Sequence, residues 1–499
     1  MMAQNGSASA RRGAWTAAAL AIAAITALPV VVALGALFVP ADDAFRHIVD
    51  HVLWRVVGNT LGLVVAVGFL TAVLGVALAG LTTYCEFPGR RFFDWALMLP
   101  LAVPGYVLAF CLGGLVDFQG PLRAALAALG LQFARWPQTN GAVASVICLT
   151  LALYPYVYLL ARQAFRTAGS NGLEVAQTLG CGRLAAFWRV AVPAARPWIV
   201  GGSSLVVMET LADFGTVKIF NFDTLTTAIY SAWYGLFSLA AALQLSLVLI
   251  AFVVVALLLE RRARGRARYS FARSRGVRHR MPLAGPARFA ASAFAAAVFV
   301  TAFAAPVGLM LHYSLGTAAA ELGSEYIGFA LRSLTLGFSA AGVIVLLAVV
   351  LGYAGRRAPG RTVAAAQRFA TLGYALPGTV LAVGFFVPVA WLSRGLNELG
   401  TRLGGGDAGI VLTGTLLTLL LAYAARFMAV AYQPLDAGFG RITPTIEEAA
   451  GGLGARGLAL LGRVHLPILT PAVASAALLV FMAVAYQPLD AGFGRITPT

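Results

Sequence analysis

The chain of 499 residues is 60% hydrophobic and 11% charged, with a mean hydropathy of +0.84; soluble domains carry roughly 25% charged residues. A water-soluble protein is excluded, and the length accommodates roughly ten or more spans of about 20 apolar residues each. The net charge is +17 with Lys218 as the only lysine, and the arginines lie in short loops between apolar runs, where they orient a membrane chain rather than form a nucleic-acid-binding surface.

In chain order, ten charge-free runs predict membrane helices: Ala14 to Val39, Val56 to Cys85, Trp95 to Val116, Trp136 to Ala161, Thr224 to Leu259, Phe289 to Leu311, Ser333 to Gly355, Phe369 to Ser393, Ala408 to Ala425 and Leu466 to Leu489. An eleventh, from about Trp198 to Phe220, contains Glu209 and Asp213. The expected fold is therefore all-α and polytopic, with about 11 spans. The first run is preceded by Arg11 and Arg12 and followed by no small-residue cleavage site, so it is expected to be a retained span. A cytoplasmic N-terminus places most arginines on the cytoplasmic side, in keeping with the positive-inside bias. Nine arginines fall between Arg261 and Arg280, which marks 261–286 as a basic linker facing lipid headgroups between a first unit, 1–260, and a second, 287–499. Leu122 to Phe133, with Arg123 and Arg135 beside it, predicts an amphipathic interfacial segment. Cys85, Cys111, Cys148 and Cys181 have no paired spacing and predict packing residues.

The two units repeat one another. Val103-Pro-Gly-Tyr-Val-Leu-Ala109 returns as Leu376-Pro-Gly-Thr-Val-Leu-Ala382, and Thr60-Leu-Gly62 as Thr335-Leu-Gly337, at offsets of 273 and 275. A near-constant offset across separate spans indicates a duplicated unit of about six helices, with both copies in the same orientation and a pathway expected between them. The most informative repeat follows the fourth span of each unit. Glu174-Val-Ala176, Gly180, nine residues, Val190 and Val192-Pro193 match Glu448-Ala-Ala450, Gly454, nine residues, Val464 and Leu466-Pro467 at an offset of 274.

Helix physics predicts a shape for these loops. Asn171 and Thr445 are expected to cap short helices with Glu174 and Glu448 at the third position, facing the positive end of the dipole. Ala176, Ala449, Ala450, Gly180 and Gly454 are expected to leave a small-residue face that another surface can approach. Pro193 and Pro467 suit the first turn of the next span. The pattern resembles the EAA motif (E-A-A, three residues, G, nine residues, I, one residue, L-P) of permease subunits in type I, binding-protein-dependent ATP-binding-cassette importers. The resemblance implies that the loops are coupling helices docking in grooves on two cytoplasmic ATPase subunits, and that a periplasmic or lipid-anchored binding protein delivers cargo to this chain in the inner membrane. No G-x-x-x-x-G-K-[ST] sequence is present, so ATP and Mg2+ are expected to be used by the partner, with no cofactor bound by this chain and no enzymatic activity of its own.

Glu209 and Asp213, expected at i and i+4 on one helix face, are costly in hydrocarbon and predict either a pathway or gate, or a polar contact between helices. The segments Glu209 to Thr216 and Phe222 to Tyr230 look like the corresponding region of ferric-iron importer permeases, which also fuse two units. Ferric iron is thus the cargo the resemblance favours, with thiamine, polyamines, sulfate and other small solutes as alternatives. A secondary transporter using Glu209 and Asp213 as ion sites is the rival class, and it leaves the matched loops unexplained. His47 and His51, four apart near Asp43 and Asp50, have a spacing compatible with a metal, although a polar loop touching a binding protein is the preferred reading. Finally, Phe427 to Thr445 and Phe481 to Thr499 are identical over 19 residues. The second copy puts Ala483 and Gln487 where Glu209 and Asp213 are expected. It predicts a truncated second unit lacking a twelfth span, through a sequence-assembly artefact or a shortened gene product.

Overall fold

The computed structural model describes residues 2–116, 120, 123, 127–128, 130, 140–168, 171–264, 280–321, 324–402, 411–455 and 457–486. The amphipathic segment 122–133 lies largely outside these residues, as do most of the basic linker and 487–499, including Gln487. The principal helices are α1 (Met2–Gly35), α2 (Asp43–His51), α3 (Leu53–Tyr84), α4 (Arg90–Ala96), α5 (Gly105–Val116), α6 (Gly141–Ala168), α7 (Asn171–Thr178), α8 (Val192–Ala212), α9 (Gly215–Ile219), α10 (Leu225–Tyr230) and α11 (Leu239–Arg264). They continue with α12 (Pro286–Phe299), α13 (Ala305–Glu321), α14 (Ser324–Arg357), α15 (Arg361–Ala370), α16 (Gly378–Arg402), α17 (Leu416–Phe439), α18 (Pro444–Gly452) and α19 (Leu466–Tyr486). The strands β1 (Cys85–Glu86) and β2 (Met281–Pro282) pair in parallel. Among the described residues, ten helices are long and apolar enough to cross a membrane, or eleven with one bent pair, in agreement with the all-α polytopic expectation.

Four predicted spans differ in form. The run from Trp95 to Val116 is a pair of helical segments meeting at 99°. Pro104 disfavours the helical conformation at Val103, which is extended (φ −108°, ψ 119°). The run from Thr224 to Leu259 breaks after α10 into a π turn, Ser231–Gly235. Phe237 then takes φ +52°, and a fresh helix starts where the Ser238 hydroxyl accepts from the Ala241 amide at 3.0 Å. The run from Trp198 to Phe220 stops being helical after Ala212, because Asp213 is extended (φ −69°, ψ 129°). The run ending at Ala425 instead continues as α17 to Phe439, across the first copy of the duplicated 19-residue segment.

Packing divides the chain into two compact units that do not coincide with the sequence halves. One comprises Asp43–Leu236 and Val248–Ala320. Its core is built by α3, α6 and α8, with Val157, Tyr154, Tyr158 and Phe165 buried. Small residues let these helices touch: a Cβ on Gly75 would lie 2.8 Å from Val157 Cβ, and one on Gly202 would lie 2.8 Å from Val157 Cα. Buried threonines in this apolar setting return their hydroxyls to their own helix, as Thr60 does to Val56 O at 2.7 Å and Thr210 to Val206 O at 2.8 Å.

The other unit comprises Met1–Asp42, Phe237–Leu247 and Glu321–Thr499. Here α1, although first in the chain, packs with α14, α15, α16 and α17, so it belongs with helices of the second sequence half. A Cβ on Gly384 would fall 2.7 Å from Pro29 Cα, and Gln244 Nε2 donates to Val39 O at 2.9 Å. The core of this unit holds Tyr423, Phe427, Met428, Ile344 and Leu351.

Candidate functional site

The repeated loops fold alike. In the first, α7 ends with Gly180 at φ +85°, and in the second, α18 ends with Gly454 at φ +85°. Beyond each glycine the chain turns back on the helix. The Cys181 amide donates to Ala176 O at 3.0 Å, and the Ala455 amide to Ala450 O at 2.9 Å. These are the six-to-one bonds of a Schellman stop, and they explain the motif spacing: the residue after the glycine caps the carbonyl of the motif alanine. A Cβ on either glycine would meet nothing within 4 Å. The glycines are therefore required by backbone angle and not by close approach.

Exposure corrects the expected small-residue face. Ala176 and Ala450 are buried within their own units at 8% exposure, whereas Glu174, Glu448 and Ala449 are exposed. The outward apolar groups are ones the motif reading passed over: Leu179 and Leu453, 79% and 90% exposed, and Leu184 and Leu458, 72% and 70% exposed. Each pair is related by the offset of 274, which was the available signal.

The ends of the loop helices also differ from expectation. Helix α18 begins at Pro444 after an extended Thr443 (φ −76°, ψ 154°). Thr445 is thus inside the helix and caps nothing, Glu448 lies beyond the third position, and Glu447 is the first-turn acid. Pro444 causes this by pre-setting the helical φ one residue earlier. In the first loop Asn171 is already helical and Glu174 is the first-turn acid. Pro193 and Pro467 do not open their spans, because the helical runs begin upstream at Arg183 and Leu458. Each proline follows a π turn, Phe187–Ala191 and Leu461–His465, whose wider ring makes room where proline offers no amide and crowds the carbonyl four residues back.

Each loop is fastened to its own unit. The first rests on aromatic packing, with ring centroids of Tyr84 and Phe165 5.5 Å apart and those of Phe165 and Phe187 5.6 Å apart, and Leu173 buried among them at 6% exposure. Helix α6, which leads into it, is tied to α4 by Asp94, whose carboxylate accepts from Arg162 Nε at 2.7 Å and from Arg166 at 2.6 Å. Tyr158 and Tyr154 donate to Asp94 O at 3.0 Å and Leu97 O at 2.9 Å, extending the same face of α6. In the second loop Glu447 turns inward toward Arg356, with Nε 3.5 Å from its carboxylate.

Glu209 and Asp213 do not share a continuous helix face. Glu209 is half-buried near the end of α8. The Asp213 carboxylate accepts from Thr216 Oγ1 at 2.9 Å and from the Val217 amide at 3.1 Å, and its carbonyl accepts from Thr226 Oγ1 at 2.7 Å. Asp213 thus organises the turn through α9 into α10, where Thr224 and Thr227 form a reciprocal capping box. The structure favours the polar-contact alternative for Asp213. His47 and His51 stack with ring centroids 4.8 Å apart, and no group of three metal-ligating side chains occurs among the described residues. The four cysteines carry free thiols.

Comparison with known proteins places this arrangement. The family model described as "binding-protein-dependent transport system inner membrane component" matches residues 71–265. An Fe(3+)-transport system permease protein of Haemophilus influenzae is 25% identical over 435 residues, covering 86% of this chain and 78% of that protein. A molybdenum transport system permease protein of Escherichia coli is 29% identical over 193 residues, 37% of this chain and 82% of its own length. A probable molybdenum ABC transporter permease protein of Haloferax volcanii is 31% identical over 206 residues, 41% of this chain and 71% of its own length. Membrane-length helices, a loop fold written twice and likeness along both halves converge, and the chain belongs to the inner-membrane permease family of binding-protein-dependent ABC transport systems.

Proposed function

We propose that this chain is the translocation subunit of an ATP-driven importer, with both halves of the membrane pathway in one polypeptide and both loops acting as coupling helices. The observation that carries the reading is the twofold recurrence of one fold at an offset of 274: short helix, left-handed glycine, exposed leucine pair, π turn and proline. Leu179 and Leu453 stand exposed one residue past short helices that each carry an exposed acid, Glu174 or Glu448, and an apolar group presented with a short helix suits helix-in-groove docking. Two such helices suit two ATPase subunits, whose closure would move the membrane helices between inward and outward access. A binding protein on the opposite side delivers cargo, and the N-terminus lies on the ATPase side. ATP and Mg2+ are used by the partner.

Ferric iron is the proposed cargo. The Haemophilus ferric permease aligns along most of this fused chain, whereas the molybdenum permeases align along 41% of it or less. Glu209, half-buried at the end of a span, supplies an oxygen donor suited to a hard cation or to a gate. The test is reconstitution with a candidate ATPase and binding protein from the same source. Cargo-stimulated ATP hydrolysis is expected for the wild type and is lost with Leu179→Asp and Leu453→Asp together. Uptake that persists without any ATPase would overturn the proposal in favour of an ion-driven transporter.

A further inference from the structure

We infer that Glu447, one residue ahead of the motif acid Glu448, is the positioning residue of the second coupling helix, fastening it to the last turn of α14 through Arg356. The role in coupling rests on the function proposed above, whereas the anchor itself is a matter of geometry within one packing unit.

The last two turns of α14 hold the chain before, within and after α18. Before it, the Arg356 guanidinium donates to the carbonyls of Phe439, at 3.1 Å, and Ile442. Within it, Arg356 Nε lies 3.5 Å from Glu447 Oε1. After it, the Tyr353 hydroxyl donates to Gly457 O at 2.7 Å. His465 Nε2 also approaches this Glu447 oxygen, at 3.3 Å. The His465 imidazole is fully buried, edge-on to Tyr353 and Phe439 with centroids 5.4 and 6.0 Å away. Trp15 packs on Tyr353 at 4.8 Å, closing the cluster with α1.

Glu447 and Arg356 side chains are 25% and 28% exposed. The pair is partly sheltered from solvent screening, and losing the carboxylate leaves a partly buried guanidinium without its counter-charge. Among the described residues the first loop shows no such device. At the offset of 274, Leu173 stands in place of Glu447 and Ala191 in place of His465, and that loop is held by apolar packing. Adjacent residues on a helix point about 100° apart, so Glu447 faces inward while Glu448 remains exposed for a partner. The repeated acid and the anchoring acid are thus different residues in the second loop.

The test compares wild type, Glu447→Gln, Glu447→Asp and Glu448→Gln as full chains in lipid nanodiscs, by hydrogen exchange of the amides from 446 to 455. Glu447→Gln is expected to exchange about tenfold faster there and at the wild-type rate in 173–181. Glu447→Asp is expected to restore most of the protection, and Glu448→Gln to leave it unchanged. Exchange as slow in Glu447→Gln as in wild type, or equal loosening by Glu448→Gln, would overturn the inference. If Glu447→Gln loosens the loop and the wild-type chain nevertheless recruits no ATPase, the anchor stands and the coupling proposal fails. With the ATPase present, the expected loss is in cargo moved per ATP hydrolysed.

Discussion

The Cys181 amide reaches back five residues to the Ala176 carbonyl across a glycine at φ +85°, and the bond recurs between Ala455 and Ala450. Because open space surrounds both glycines, the cost of any side chain there is conformational, roughly 1–2 kcal/mol for a left-handed non-glycine residue. Gly180→Ala and Gly454→Ala are therefore expected to speed exchange of the Cys181 and Ala455 amides, with Gly→Asn milder at both positions. Equal protection in alanine, asparagine and wild-type chains would remove the backbone explanation of the motif glycine.

Val157 is expected to make Gly75 and Gly202 intolerant even of a methyl group. A new Cβ at either position comes within 3.0 Å of backbone or Cβ atoms of α6, and such overpacking costs about 1–3 kcal/mol. Gly75→Ala and Gly202→Ala are predicted to lower the unfolding temperature in detergent. Gly58→Ala, with nothing within 4 Å, is predicted to be neutral or slightly stabilising.

Asp94 joins α4 to α6 with two charge-assisted bonds while only 19% exposed. Asp94→Asn is expected to destabilise the chain by about 2 kcal/mol, since Arg162 loses its charged acceptor in a sheltered site. Denaturant unfolding measures this, and Asp94→Glu should recover part of the loss.

The acids at the end of α8 are expected to separate by phenotype. Asp213→Ala removes the acceptor for Thr216 and the Val217 amide and should lower stability by about 1–2 kcal/mol. Glu209→Gln keeps an oxygen acceptor and should cost less stability than Asp213→Ala, and under the proposed import function it should alter the cargo concentration needed for half-maximal ATPase stimulation. A stability loss for Glu209→Gln equal to that of Asp213→Ala would make Glu209 a structural residue as well.

Much was legible in the residue order. Hydropathy located the spans because a helix crossing hydrocarbon must be apolar along its length. The repeat offset marks two loops without reference to geometry, since the equal spacing of Glu174, Gly180 and Pro193 with Glu448, Gly454 and Pro467 is a property of residue order alone. Where spans bend was harder to read. The 99° turn at Val103-Pro104 and the breaks at Asp213 and Phe237 arise where local backbone preference interrupts a stretch that is apolar throughout, and hydropathy does not register backbone angle.

By itself the sequence determined an arginine-rich, membrane-embedded, internally repeated chain, because composition and periodicity answer directly to the solvent in which a segment must sit. Tertiary structure alone decided which side of each repeated loop faces outward, that α1 packs with helices of the second half, and that Glu447 rather than Glu448 turns toward Arg356. Those outcomes depend on which surfaces meet across long separations in the chain, and neighbouring residues carry no record of a partner that only folding brings near.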